Sequence, residues 1–201
     1  MFILGKKLEM TRVFDGKGNS VPVTIIEAGP CFVTQVKIKD RDGYNAIQIG
    51  FGKTKNLSEQ LKGHLKGLDN FRYLKEFRMD KTDNFKRGQK IDVSVFKEKD
   101  KVQAIGISKG KGYQGVVRRH HFKGGPASHG HRHVLRAPGS VGCMFPQHVR
   151  KGRRMAGRMG NQRTTIKNLE VLKVDKRNNL LVINGGVPGA RNSLVMVEGL
   201  K

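Results

Sequence analysis

Six of the seven histidines in this 201-residue chain fall between His120 and His148, a stretch that also holds Cys143, Ser128 and Ser140. Three chemistries have to be weighed there. A structural zinc centre wants paired Cys or His ligands at short loop spacings. His129-Gly130-His131-Arg132-His133 supplies imidazoles, but no second Cys lies near Cys143 and no carboxylate is at hand to orient a ligand imidazole. A dication would also be repelled by Arg132, Arg136 and Arg150. A serine nucleophile at Ser128 or Ser140 needs a base held by an acidic third group, and the segment contains no Asp or Glu. Lys109-Gly110-Lys111-Gly112 lacks the G-x-x-x-x-G-K-[ST] spacing of a phosphate-binding P-loop. No catalytic residue, metal or cofactor is therefore assigned, and an enzyme is not expected.

What the segment offers is cation. Lys101 to Leu169 contains fifteen Lys and Arg and no Asp or Glu, within a chain of 40 basic and 16 acidic residues and net charge +24. Such an excess implies a polyanionic partner, because each Lys or Arg that neutralises a phosphate releases condensed counterions. Glycines among these cations let a backbone come close to RNA, and Arg offers both a fork for phosphate and a face for bases. Neutral imidazoles can stack on bases and hydrogen-bond phosphate. The candidate RNA-contacting residues are Lys109, Lys111, Arg118, Arg119, His120, His121 and Lys123 on the entering arm. His129, His131, Arg132, His133 and Arg136 follow, and then Arg150, Lys151, Arg153, Arg154 and Arg158. The glycines at 142, 152, 157 and 160 are read as points of close approach to RNA.

Other partners fit less well. No apolar run reaches the roughly 18 to 20 residues of a membrane span, and Met1 to Lys7 lacks the apolar core and cleavage site of a signal peptide. Cys31 and Cys143 lie too far apart in the chain to suggest a disulfide framework. A cytoplasmic protein with no membrane partner and no small-molecule substrate is expected.

The elements that must carry the basic segment read as strands. Val21 to Glu27, Phe32 to Ile38, Ala46 to Phe51, Tyr73 to Arg78, Ile91 to Phe96 and Val102 to Ile107 are rich in β-branched or alternating residues. Leu169 to Val174, Leu180 to Ile183 and Leu194 to Val197 follow the interruption. Leu57, Leu61, Leu65 and Leu68 fall at helical spacing. These patterns predict a mainly β protein, an antiparallel barrel or sandwich, over residues 1–108 and 161–201, with a small helical insertion near 56–67. Residues 109–160 form a long irregular basic extension. Gly124 to Gly160 shows neither period, and a loop of that length cannot bury enough apolar area to order itself, whereas phosphates packed around it could.

Several ordered stretches resemble one family. Leu4-Gly5-Lys6-Lys7-Leu8-Glu9-Met10-Thr11-Arg12-Val13-Phe14 is similar to the N-terminal signature of the large-subunit ribosomal proteins of the L-three family. Ser108 to Gly115, His129-Gly130, His133 and Arg136 to Gly142 resemble its central signature. Lys151 to Asn161 resembles the stretch that closes the loop, and Asn184-Gly185-Gly186-Val187-Pro188-Gly189-Ala190 the C-terminal part. The resemblance runs the length of the chain in the right order, at bacterial-type length. It implies a six-stranded β-barrel of the translation-protein type and an extension reaching toward the peptidyl-transferase region. It also implies direct binding to 23S-type ribosomal RNA near its 3′ end, early participation in large-subunit assembly, and ribosomal proteins L-fourteen and L-nineteen as neighbours. Two departures stand out. Glu9 occupies a position where the family usually has Gly, and Arg158 matches a Gln that some members carry methylated, so no such modification is expected here. Charge alone would also permit a free-standing nucleic-acid chaperone or an architectural DNA-binding protein; the ordered signatures favour the ribosomal reading.

Overall fold

Alternation of buried and exposed side chains, the period of a strand, organises most of the chain outside the basic segment. The computed structural model describes residues 1–16, 18–80 and 82–200. In chain order it holds β1 (Phe2–Phe14), β2 (Ser20–Ala28), β3 (Cys31–Lys37), α1 (Lys39–Asp42), β4 (Ala46–Lys53) and α2 (Glu59–His64). Then come β5 (Phe71–Arg78), β6 (Lys90–Ile91), a 3-10 turn at Val93–Val95, β7 (Lys101–Ile107), β8 (Tyr113–Gln114) and α3 (Val116–His120). The last strands are β9 (Gly157–Arg158), β10 (Arg163–Asp175), β11 (Leu180–Asn184) and β12 (Leu194–Gly199). Two compact units result: Met1–Ile107 with Arg163–Lys201, and Ser108–Gln162.

The first unit is mainly β and contains two sheets. Six strands pair antiparallel in the order β1-β12-β7-β10-β11-β2, and β2 returns to β1, so the ring closes into a barrel without a free edge. A second sheet, ordered β5-β4-β3-β6, is formed entirely by the chain between β2 and β7. The span 1–108 is therefore not barrel throughout, because four of its strands pair only with one another. One core serves both sheets. Ile3, Ile26, Val102, Ala104, Val171, Leu181, Ile183, Val195 and Val197 come from the barrel, and Val33, Ile47, Ile49, Phe77 and Phe96 from the second sheet and the turn after it. The start of β1 is buried on both faces because Phe2 stacks on Phe77 of β5, with ring centroids 4.5 Å apart.

Two local expectations change. Ile91 to Phe96 is not a strand: only Lys90–Ile91 pairs with β3, and the 3-10 turn follows. In such a turn residues three apart share a face, which sends both Val93 and Phe96 into the core at 1% and 2% exposure. The helix expected near 56–67 shortens to α2; Leu65, just past its end, is its anchor in the protein. Glu9 sits in an exposed stretch of β1, directly after a bulge between Lys7 and Glu9, where a side chain is harmless.

The N-terminal and C-terminal signatures meet at Lys7. Its ammonium group, on a residue only 8% exposed, donates to the carbonyl oxygens of Val187 at 2.7 Å and Gly189 at 3.4 Å. Thr24 Oγ1 donates to Gly185 O at 2.7 Å in the same turn. Gly106 leaves room for it, since a Cβ there would stand 2.9 Å from Pro188 O. These stretches hold the barrel's end together. Lys7→Met keeps the length of the side chain but strands buried carbonyls, and should lower unfolding free energy by about 1–3 kcal/mol in urea titrations. An unchanged midpoint would show that the turn holds without the lysine.

Candidate nucleic-acid interface

The Ser108–Gln162 unit contains twelve Lys and Arg and no Asp or Glu, so none of its cations is neutralised from within. Its two arms carry short regular pieces within an otherwise irregular segment. Tyr113 and Gln114 of β8 pair antiparallel with Arg158 and Gly157 of β9. The ribbon is extended by Lys111 N to Met159 O and Met159 N to Gly112 O, both 2.9 Å, and by Ser108 N to Gln162 O, also 2.9 Å. From 121 to 156 there are turns but neither helix nor strand.

Between the arms α3 forms around one buried anchor, Val116, and ends where His121 takes a left-handed conformation (φ +60°). Arg118, Arg119 and His120 fill its last turn, where cations sit well against exposed carbonyls. The Arg119 guanidinium donates to Met155 O at 2.7 Å, and His120 Nε2 lies 3.1 Å from the same oxygen. These two side chains tie the returning arm to the helix.

The pairing draws five candidates onto one cleft of about 460 Å³: Lys109, Lys111, Arg119, His120 and Arg158. Ser108, Met159, Gly160 and Gln162 complete its lining. Lys109, Lys111 and Arg158 are exposed, while Arg119 and His120 are half-buried. Four cations around one recess, with no carboxylate in the unit, make a cradle for phosphate oxygens, and Arg can take two of them at once. A smaller recess of about 220 Å³ brings Arg150 and Arg153 beside Val141, Gly142, Cys143, Phe145, Pro146 and His148, with the Arg153 guanidinium donating to Ser140 O.

The remaining candidates do not join either recess. Arg118 lies within 3.4 Å of Gln114 Oε1. His131 is half-buried and packs over Gly125, where a Cβ would sit 3.0 Å from Nδ1. His121, Lys123, His129, Arg132, His133, Arg136, Lys151 and Arg154 are exposed, on turns, in irregular chain or just past the end of α3. No group of three or more metal-ligating side chains occurs among the described residues. Cys143 is exposed, whereas burial pushes the Cys31 thiol up to about 12, so Cys31 stays protonated within the core.

The glycines divide in a way that spacing did not show. Gly142 and Gly152 have open space around them. Gly157 and Gly160 are committed to the chain's own packing: a Cβ on Gly157 would stand 2.6 Å from the Arg119 guanidinium, and one on Gly160 would overlap Lys109 O. Sequence reading also passed over Met144 and Phe145, 81% and 72% exposed among the cations. Their signal was available, since large apolar residues in a segment with no apolar period have no core to enter.

Comparison with known proteins agrees with this picture. The family described as Ribosomal protein L3 matches residues 75–180. Three relatives are each named large ribosomal subunit protein uL3. That of Roseiflexus sp. (strain RS-1) is 52% identical over 200 residues, covering 98% of this chain and 95% of the relative. That of Carboxydothermus hydrogenoformans is 48% identical over 200 residues, with 98% and 95% covered. That of Herpetosiphon aurantiacus is 47% identical over 200 residues, with 98% and 94% covered.

Proposed function

The chain belongs to the ribosomal protein L3 family, and from that premise we propose that it is a structural constituent of the large ribosomal subunit that binds 23S-type ribosomal RNA near its 3′ end and helps nucleate subunit assembly. The barrel, in this reading of translation-protein type, is the anchoring body. The Ser108–Gln162 unit enters RNA and extends toward the peptidyl-transferase region, with ribosomal proteins L-fourteen and L-nineteen alongside. The observation that carries the proposal is the convergence of Lys109, Lys111, Arg119 and Arg158 on one cleft in a unit without a carboxylate. Phosphates brought together by RNA folding repel one another, and cations held at fixed spacing remove that cost. In this reading any influence on peptide-bond formation comes from positioning RNA.

The test compares equal-length transcripts. The full-length chain should retain a fragment from the 3′ domain of 23S-type RNA at least tenfold more tightly than one from the 5′ domain at about 150 mM salt, a gap of about 1.4 kcal/mol or more. Both fragments carry the same charge, so equal retention would reduce the protein to a non-specific polycation binder.

A further inference from the structure

A second recess lies wholly within the barrel-containing unit, among residues outside the basic segment. It measures about 530 Å³ and is lined by Phe32, Phe51, Phe71 and Tyr73, with Lys6, Lys53 and Arg72 also on its walls. Phe32 and Phe71 stack with centroids 5.5 Å apart and planes 27° from parallel. Gly50 makes that possible, because a Cβ there would overlap the Phe71 ring. The Arg72 guanidinium lies 5.2 Å from the centre of the half-buried Tyr73 ring. Glu27 and Asn192 complete the polar part of the lining, and their side chains make no hydrogen bond or ion pair among the described residues.

We propose that this recess holds one unstacked nucleobase of single-stranded RNA, with the flanking phosphates on Lys6, Lys53 and Arg72. The inference rests on the RNA-binding function proposed above but concerns a different surface. Aromatic rings beside cations match the two parts of a nucleotide, a π-face and a charged link. Glu27 stands directly across the β1–β2 pair from Lys6, and the recess carries three cations, Lys6, Lys53 and Arg72, against that one carboxylate, so its net charge still attracts phosphates. A carboxylate only accepts hydrogen bonds. It therefore favours bases with an exocyclic amine, adenine, cytosine or guanine, over uracil. An apolar protein segment would leave the rim charges unanswered, since among the described residues Arg72 forms no ion pair, while Lys53 pairs with Asp69 at 2.9 Å.

Titrating the full-length chain into a hexauridylate carrying 2-aminopurine at one position, where weakly stacking neighbours leave the probe bright, reads stacking in the recess as quenching, and total affinity from the same curve. The wild-type chain should quench the probe. Tyr73→Val, which keeps a strand-compatible side chain, should weaken binding about tenfold and remove most of the quenching, with the melting temperature showing that it folds. Asn192→Gly removes the amide while suiting the left-handed backbone (φ +66°), and should weaken binding about three- to tenfold; it decides the matter alone if Tyr73→Val is unfolded. Hexacytidylate should compete about three- to tenfold better than hexauridylate of identical charge. Replacing Arg150, Lys151, Arg153 and Arg154 with Gln should lower total affinity yet leave quenching at saturation intact, which separates failure of this recess from failure of RNA binding as such. Wild-type binding without quenching, or wild-type behaviour in both single variants, would overturn the proposal.

Discussion

Gln at Lys109, Lys111 and Arg158 together should weaken binding to the 3′ domain of 23S-type RNA by about a hundredfold at about 150 mM salt, and should reduce the slope of log affinity against log salt by about two to three. The three side chains are exposed and line the same cleft, and among the described residues none is held in an ion pair. Their loss therefore removes charge without breaking a network. Arg119 is left in place because it also tethers Met155. Three exposed lysines of the barrel-containing unit, Lys75, Lys173 and Lys176, form the control. Removing them subtracts the same formal charge from scattered positions, where each exposed charge is screened within about 8 Å. Filter binding across a salt series checks both arms. Equal losses would mean that net charge alone governs binding and that the cleft has no special part.

Gly160→Val should open the paired arms of the Ser108–Gln162 unit. The backbone there is left-handed (φ +75°), which a β-branched residue adopts only under strain, and its Cβ would fall on Lys109 O, a main-chain atom with no rotamer to escape into. The cost should be at least about 3 kcal/mol. The bonds at risk are Lys111 N to Met159 O, Met159 N to Gly112 O and Asn161 N to Ser108 O at 3.1 Å. Hydrogen exchange at those three amides should accelerate by at least about a hundredfold, while amides of β11 and β12 keep their protection. Gly142→Val is the contrast, since Gly142 has a negative or extended φ and nothing within 4 Å; exchange in the ribbon should not change. Intact protection in Gly160→Val would mean that the arms are held elsewhere. Gly157→Val acts less directly, because the guanidinium it displaces can swing aside at the cost of its bond to Met155 O.

Residue type was enough to determine that the chain is mainly β outside one basic segment. Charge needs no coordinates, so the stretch without carboxylates and its concentration of cations were legible in the sequence. The alternating runs at Val21 to Glu27, Ala46 to Phe51 and Leu180 to Ile183 carry their period in the sequence, and all three lie within strands. Ile91 to Phe96 misled because β-branched residues suit a 3-10 turn too when its i and i+3 positions face a core.

The tertiary structure decided what depends on partners distant in the chain. Lys7 reads as one more surface cation until Val187 and Gly189 come round to it, some 180 residues later. Which strands close the barrel and which form the second sheet depends on pairing among remote segments, since every strand shows a similar local pattern. The same is true of the interface. Seventeen candidates looked alike by composition, and five of them share a cleft because β8 and β9 bring together residues more than forty positions apart. A two-residue ribbon has no period to read, and Gly160 looks like any other loop glycine. Its identity is set by an oxygen on Lys109, and only a closed backbone puts that oxygen there.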